Sequence, residues 1–238
     1  MAKSSYFIFH GSLNDFLSFS EQGEDIKYAF FGSPTIKDAI EAQGIPHTEI
    51  GLMYINGTQV AFDYKLQADD HAEVFPIHNP FAEHTHFQFV IDSHLGKLAM
   101  DLRVLGFDSL YEKNYTQEKI AHIAQHENRV VLTRNIGLLK NNRIRKGYWI
   151  RSQEPKIQVQ EVINYFNLKD KILPFSRCRI CNGLIKQVSK ERVEDQLPKM
   201  TKAHFHEFYQ CAECHKVYWK GSHYEKMVKF VEKLTKTP

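Results

Sequence analysis

A chain of 238 residues can hold one large domain or two to three small ones. Its composition, 42% hydrophobic and 25% charged, is that of an ordinary globular protein. The start, Met1-Ala-Lys-Ser-Ser-Tyr6, lacks the apolar core of a signal peptide, and no run approaches membrane-spanning length, so a soluble cytoplasmic protein is expected. The net charge of +3 divides into −7 over residues 1–80, +4 over 81–175 and +6 over 176–238. An acidic head on a basic body suggests separate modules, the body suited to a polyanion; a solvated lysine-rich surface is the plainer alternative.

The first 80 residues read as a small α+β unit. Tyr6–Phe9 and Ile26–Phe30 suit paired strands. A helix is expected over 35–44, capped by Ser33 or Thr35, buried through Ile36, Ala39 and Ile40, and stopped by Gly44. Leu52–Ile55 and Gln59–Phe62 flank Asn56-Gly57, a two-residue hairpin signal, and Ala72–Pro76 supplies a last strand. This order resembles the ubiquitin-like β-grasp fold, especially its sulfur-carrier branch. Carriers of that branch end in a free Gly-Gly tail, whereas here the strand runs into Ile77-His78-Asn79-Pro80. The resemblance therefore implies an interaction or packing module, open to a protein partner, and not a carrier. Asn79-Pro80 and the residues up to His86 suggest a linker; His84 and His86 there are weighed as metal ligands against ordinary exposed histidines.

Beyond the linker the pattern switches. Strands are expected at 86–92, 107–111, 129–133 and 147–150. They alternate with helices opened by Ser93 and Thr116, a short helix at 136–139 and a longer one at 156–166. Alternation of this kind implies a parallel sheet with right-handed crossovers. Ribbon strands are expected at 184–188, 205–210 and 217–219.

The four cysteines form two C-x-x-C pairs, Cys178–Cys181 and Cys211–Cys214, about thirty residues apart. Two such knuckles complete a tetrahedral thiolate shell, and a structural zinc ion is expected. Two disulfides are the alternative, disfavoured where cytosolic thiols stay reduced.

Ligands of open parallel sheets collect beyond the carboxyl ends of the strands. Asp92, Asn114, Gln117, Glu118, Thr133, Arg134 and Asn135 fall there. Acids at such a rim suit Mg²⁺ or Mn²⁺, which can activate water against a phosphodiester. The alternative for Asp92 is a helix cap. Lys140, Arg143, Arg145 and Lys146 form the densest basic stretch; with Arg134 they would hold an RNA backbone. Arg177, Arg179 and Lys220 add charge, and Tyr148, Tyr218 and Trp219 are weighed as base-stacking rings against plain packing.

The segments 89–99, 102–108, 129–135, 177–182 and 211–223 follow one another in an order that resembles the Mut-seven C-terminal RNase family, a PIN-like domain with a zinc ribbon, often preceded by a ubiquitin-like module. The resemblance implies three domains here: 1–80 ubiquitin-like β-grasp, 86–172 PIN-like, and 173–238 zinc ribbon with a C-terminal helix. It implies a metal-dependent ribonuclease acting on single-stranded RNA. Asp92 matches the family's first acid. Position 117 is Gln with Glu118 beside it, and position 135 is Asn where an Asp is implied. Asp92, Glu118 and Asn135 are thus the catalytic candidates. The amides at 117 and 135 motivate the alternative, a non-catalytic RNA-binding or adaptor protein.

Overall fold

The computed structural model describes residues 2–78 and 87–236, so the expected linker with His84 and His86 lies outside the described residues. Strand β1 (Lys3–Phe9) pairs antiparallel with β2 (Ile26–Phe30). Helix α1 (Ile36–Ala42) begins in a capping box: the Thr35 hydroxyl accepts from the Asp38 amide, and the Asp38 carboxylate accepts from the Thr35 amide. Strands β3 (Ile50–Ile55) and β4 (Thr58–Gln59) turn through Asn56 and Gly57, whose φ angles of 50° and 81° are what a primed hairpin turn needs. The second hairpin strand is shorter than expected. Past Gln59 the chain leaves the ladder, and the carbonyls of Phe62 and Tyr64 accept from Lys37 and Ile36 at the start of α1. Strand β5 (His71–Pro76) lies parallel to β1, in the order β2-β1-β5-β3-β4. Phe7, Phe9, Leu13, Ile36, Ile40 and Val74 fill the core between this sheet and α1.

In the body, β6 (Gln88–Ile91), α2 (Gly96–Val104), β7 (Asp108–Leu110), α3 (Gln117–Glu127), β8 (Val130–Thr133), α4 (Ile136–Leu139), β9 (Gly147–Trp149) and α5 (Pro155–Tyr165) follow in the expected order. The pairs β6–β7 and β8–β9 are both parallel. Every residue of β8 is buried, which accounts for its uninterrupted apolar run. The α-helix starts at Gly96 and not at Ser93, because Ser93–Leu95 form a 3₁₀ turn first. A Cβ at Gly96 would lie 2.5 Å from the Tyr111 hydroxyl, so only glycine lets α2 approach that ring.

The C-terminal segment carries β10 (Ile185–Val188), the short helices α6 (Lys190–Val193) and α7 (Lys199–His204), β11 (Phe208–Cys211), β12 (Val217–Trp219) and the 15-residue α8 (Ser222–Lys236). Its strands form an antiparallel sheet in the order β10-β11-β12. Only Val193, Leu197 and Phe208 are buried in its own apolar cluster, too little to hold such a segment unaided. Helices α6 and α7 were not expected: four and six residues are too short to show a helical period.

The chain divides into two compact units, Met1–Ala82 with Gln117–Trp149 and Glu83–Thr116 with Ile150–Pro238. In the first, the β-grasp sheet is tied to the segment that ends in β9. The buried Glu49 carboxylate accepts from the Trp149 amide at 2.7 Å, and the Trp149 ring lies 4.8 Å from Phe16. His47 Nδ1 meets Glu41 Oε1 at 2.6 Å while Nε2 donates to the Ile144 carbonyl at 2.8 Å. Glu49→Ala should strand the Trp149 amide and lower unfolding stability by about 1–3 kcal/mol in urea denaturation, whereas an exposed control, Glu24→Ala, should leave it within about 0.5 kcal/mol.

Candidate functional site

The two knuckles have the same backbone. Cys178 N donates to Gly183 O and Cys211 N donates to Lys216 O, each five residues on. The residue after each second cysteine, Asn182 at φ 72° and His215 at φ 58°, is left-handed. His215 therefore serves the turn. The four sulfur atoms lie within 4.8 Å of one another, with Cys178–Cys214 at 3.6 Å and Cys181–Cys211 at 3.3 Å. Metal–sulfur bonds of about 2.3 Å would put tetrahedral sulfurs about 3.8 Å apart, so the cluster is sized for one ion. All four thiols are free, at separations well beyond a disulfide bond of about 2.05 Å.

Local polarity prepares these thiols unequally. Burial pushes the Cys178 thiol up, but hydrogen bonds from the Tyr218 hydroxyl and from the amides of Cys181 and Ile180 outweigh it and bring the group down to about 7. Burial pushes Cys214 up to about 12, and it also raises Cys211. Packed together, the four groups resist full ionisation unless a cation sits among them. The donor set fits a soft divalent metal.

The first knuckle is anchored on α2 and β7. Arg103 is 3% exposed; its Nε donates to Ser109 O at 2.9 Å and its Nη1 to Ile180 O at 2.6 Å. Burial lowers its pKa, and the Cys178 and Cys181 sulfurs oppose that shift. Asn182 Oδ1 accepts from Ser109 N, and its Nδ2 donates to Asp108 Oδ1. Arg177 reaches Asp108 at 3.4 Å and donates to Asn182 O. Arg103 and Asn182 escaped sequence reading because nothing in Leu-Arg-Val or Cys-Asn-Gly marks a buried guanidinium or amide.

Asp92 ends β6 and is 8% exposed. It does not cap the following turn through its side chain; Ser93 Oγ donates to its Oδ1 at 3.2 Å. Asp101 on α2, a second buried acid that the sequence did not single out as a candidate, is held by Lys97 at 2.5 and 2.7 Å. Glu118 lies in the first turn of α3, bound at both oxygens by Arg143, which lowers its pKa and raises that of Arg143. Asn135 caps α4, its Oδ1 accepting from Leu138 N at 3.3 Å. Among the expected RNA contacts, Lys140 donates to Glu41 O, Arg143 holds Glu118, and Arg145 is exposed. Burial lowers Lys146, and Arg134 lends its carbonyl to Trp149 Nε1. Among the described residues, the four cysteines are the one group of three or more His, Cys, Asp or Glu placed to share an ion.

A β-grasp head, parallel α/β pairs and a four-thiol cluster define a protein whose knuckle pair is placed to share one metal ion. The Mut7-C RNAse domain family matches residues 87–231, and the Mut7-C ubiquitin family matches residues 2–82. The chain belongs to the Mut7-C RNAse domain family and carries that ubiquitin-like domain ahead of it. Among solved structures, the small archaeal modifier protein 1 of H. volcanii is similar at 16% identity over 31% of this chain and 97% of that one, with a TM-score of 0.25. Comparison with curated proteins returned no match. No helix among the described residues is long and apolar enough to cross a membrane.

Replacing Cys211 with Ser, or stripping metal with a chelator, should speed hydrogen exchange over residues 176–221 by a loss of several kcal/mol of local stability. Exchange in β1 and β5 should stay unchanged. Exchange mass spectrometry reads both.

Proposed function

We propose that the chain is a divalent-metal-dependent ribonuclease of the PIN-like class, acting on single-stranded RNA in the cytoplasm, with a zinc ion as a structural staple in its C-terminal ribbon. The domains would be those expected from the sequence: 1–80 ubiquitin-like, 86–172 PIN-like, and 173–238 ribbon with α8. The observation that carries the reading is Asp92, a buried carboxylate directly after a parallel strand, in a chain of the Mut7-C RNAse domain family.

Mg²⁺ and Mn²⁺ keep most of their waters and need few protein ligands besides substrate phosphates, so one buried carboxylate suits such an ion. Bound there, the ion would supply a nucleophile from water and neutralise charge on the phosphodiester. Ser93 Oγ would hold the Asp92 carboxylate in position through its bond to Oδ1. Glu118 is bound at both oxygens by Arg143 and would be open to a cation only if that pair parted. Asn135 brings a neutral oxygen already bonded to Leu138 N, a weaker donor than the family's implied Asp. Arg134, Arg145 and Lys146 are proposed as backbone contacts. The ubiquitin-like head remains a proposed docking surface for a protein partner.

Purified protein incubated with labelled single-stranded RNA and Mn²⁺ should cleave it, and Asp92→Asn should reduce the rate by about 100-fold or more. Glu118→Gln should reduce it less. Unaltered cleavage by Asp92→Asn removes that residue from the mechanism. A second reading, a non-catalytic RNA binder, is favoured by the commitments of Glu118 to Arg143 and of Asn135 to its cap. Gln117→Asp combined with Asn135→Asp separates the two: it should raise cleavage in a weakened enzyme and produce none in a binder.

A further inference from the structure

The ribbon holds a cavity of about 440 Å³ between one face of its sheet, the 174–179 segment and the first turns of α8. The sheet register sets its floor. Gln187, Tyr209 and Tyr218 are cross-strand partners on β10, β11 and β12, so they form one row on one face. Phe175 and Tyr224, with ring centroids 4.7 Å apart, wall it opposite. Its lining carries three cations, Arg177, Arg179 and Lys220, and no carboxylate.

These cations differ in availability. Arg177 is spent on Asp108 and Asn182 O. Lys220 pairs with Glu207, but both are half exposed, and such a pair exchanges readily. The half-buried Arg179 guanidinium makes no hydrogen bond or ion pair among the described residues; only its backbone carbonyl is used, by Arg103. The rings differ likewise. Tyr148 is 3% exposed, Trp219 packs toward Phe208 on the other face, and the Tyr218 hydroxyl is taken by Cys178. Tyr209 lies half-buried at the centre of the row.

We infer that this cavity is a nucleotide-binding subsite for single-stranded RNA: a base stacks on Tyr209 and Tyr224, and the adjoining phosphate pairs with Arg179, assisted by Lys220. The choice of RNA rests on the ribonuclease reading; the choice of a base with a phosphate rests on the rings, the unpaired guanidinium and the acid-free lining. None of the lining residues is one of the catalytic candidates, so binding and cleavage separate experimentally.

The test uses the full zinc-loaded chain carrying Asp92→Asn and a fluorescein-labelled single-stranded oligoribonucleotide, read by anisotropy across a salt series. Arg179→Ala should weaken binding by about tenfold and lower the salt slope by about one. Tyr209→Ala should weaken it by about tenfold with the slope unchanged. Lys186→Ala, on the opposite sheet face, should behave as the parent. As a measurement independent of variant folding, 5-iodouridine-substituted RNA should photocross-link to the peptides containing Tyr209 or Tyr224. Cross-links confined to other peptides, or Arg179→Ala with parental affinity and slope, overturn the subsite. RNA bound here by a wild-type chain that never cleaves it would sink the nuclease reading and leave the subsite standing; cleavage with no effect of these variants would do the reverse.

Discussion

One buried guanidinium organises the C-terminal half of the protein. Arg103 leaves α2, gives hydrogen bonds to the β7 backbone at Ser109, and gives others to the knuckle carbonyls of Arg179 and Ile180. None of these partners is a carboxylate. The effect of burial on its charge is opposed from a distance by Cys178 and Cys181 first, then by Tyr115 and Asp108. A four-thiolate shell around one divalent ion carries two negative charges, so metal loading and the burial of Arg103 support each other. With three buried side chains in its own apolar cluster among the described residues, the ribbon depends on this electrostatic anchor and on Asn182 for its position on β7.

A comparable tie operates in the other unit. Glu49 receives the Trp149 amide, and His47 bridges Glu41 to the Ile144 carbonyl. The ubiquitin-like head is therefore tied to a later segment of the same chain. It fixes the segment from Lys140 to Trp149, which holds most of the basic residues that sequence reading marked for RNA. Lys140 is spent on that tie, through Glu41 O, and Arg143 on Glu118. The cations left with the fewest internal duties are Arg145 and, on the ribbon, Arg179.

The acidic candidates differ in what they already do. Asp92 is buried with a hydroxyl donor beside it, Glu118 is exposed and balanced by Arg143, and Asn135 is occupied as a cap.

Much of this was legible in the chain itself. The Asn56-Gly57 turn, the Thr35 cap, the apolar strand at 130–133 and the paired C-x-x-C knuckles are local signals, each set by a few consecutive residues whose backbone preferences or ligand spacing act over one turn. Helices α6 and α7, of four and six residues, carried no period and went unread. What only the tertiary structure decided were the partners of long polar side chains: Arg103 on the knuckle, Glu49 on Trp149, Arg143 on Glu118, and Arg179 with no side-chain partner among the described residues. A flexible charged side chain reaches many places at similar cost, and which acceptor it finds depends on residues tens of positions away that folding alone brings near.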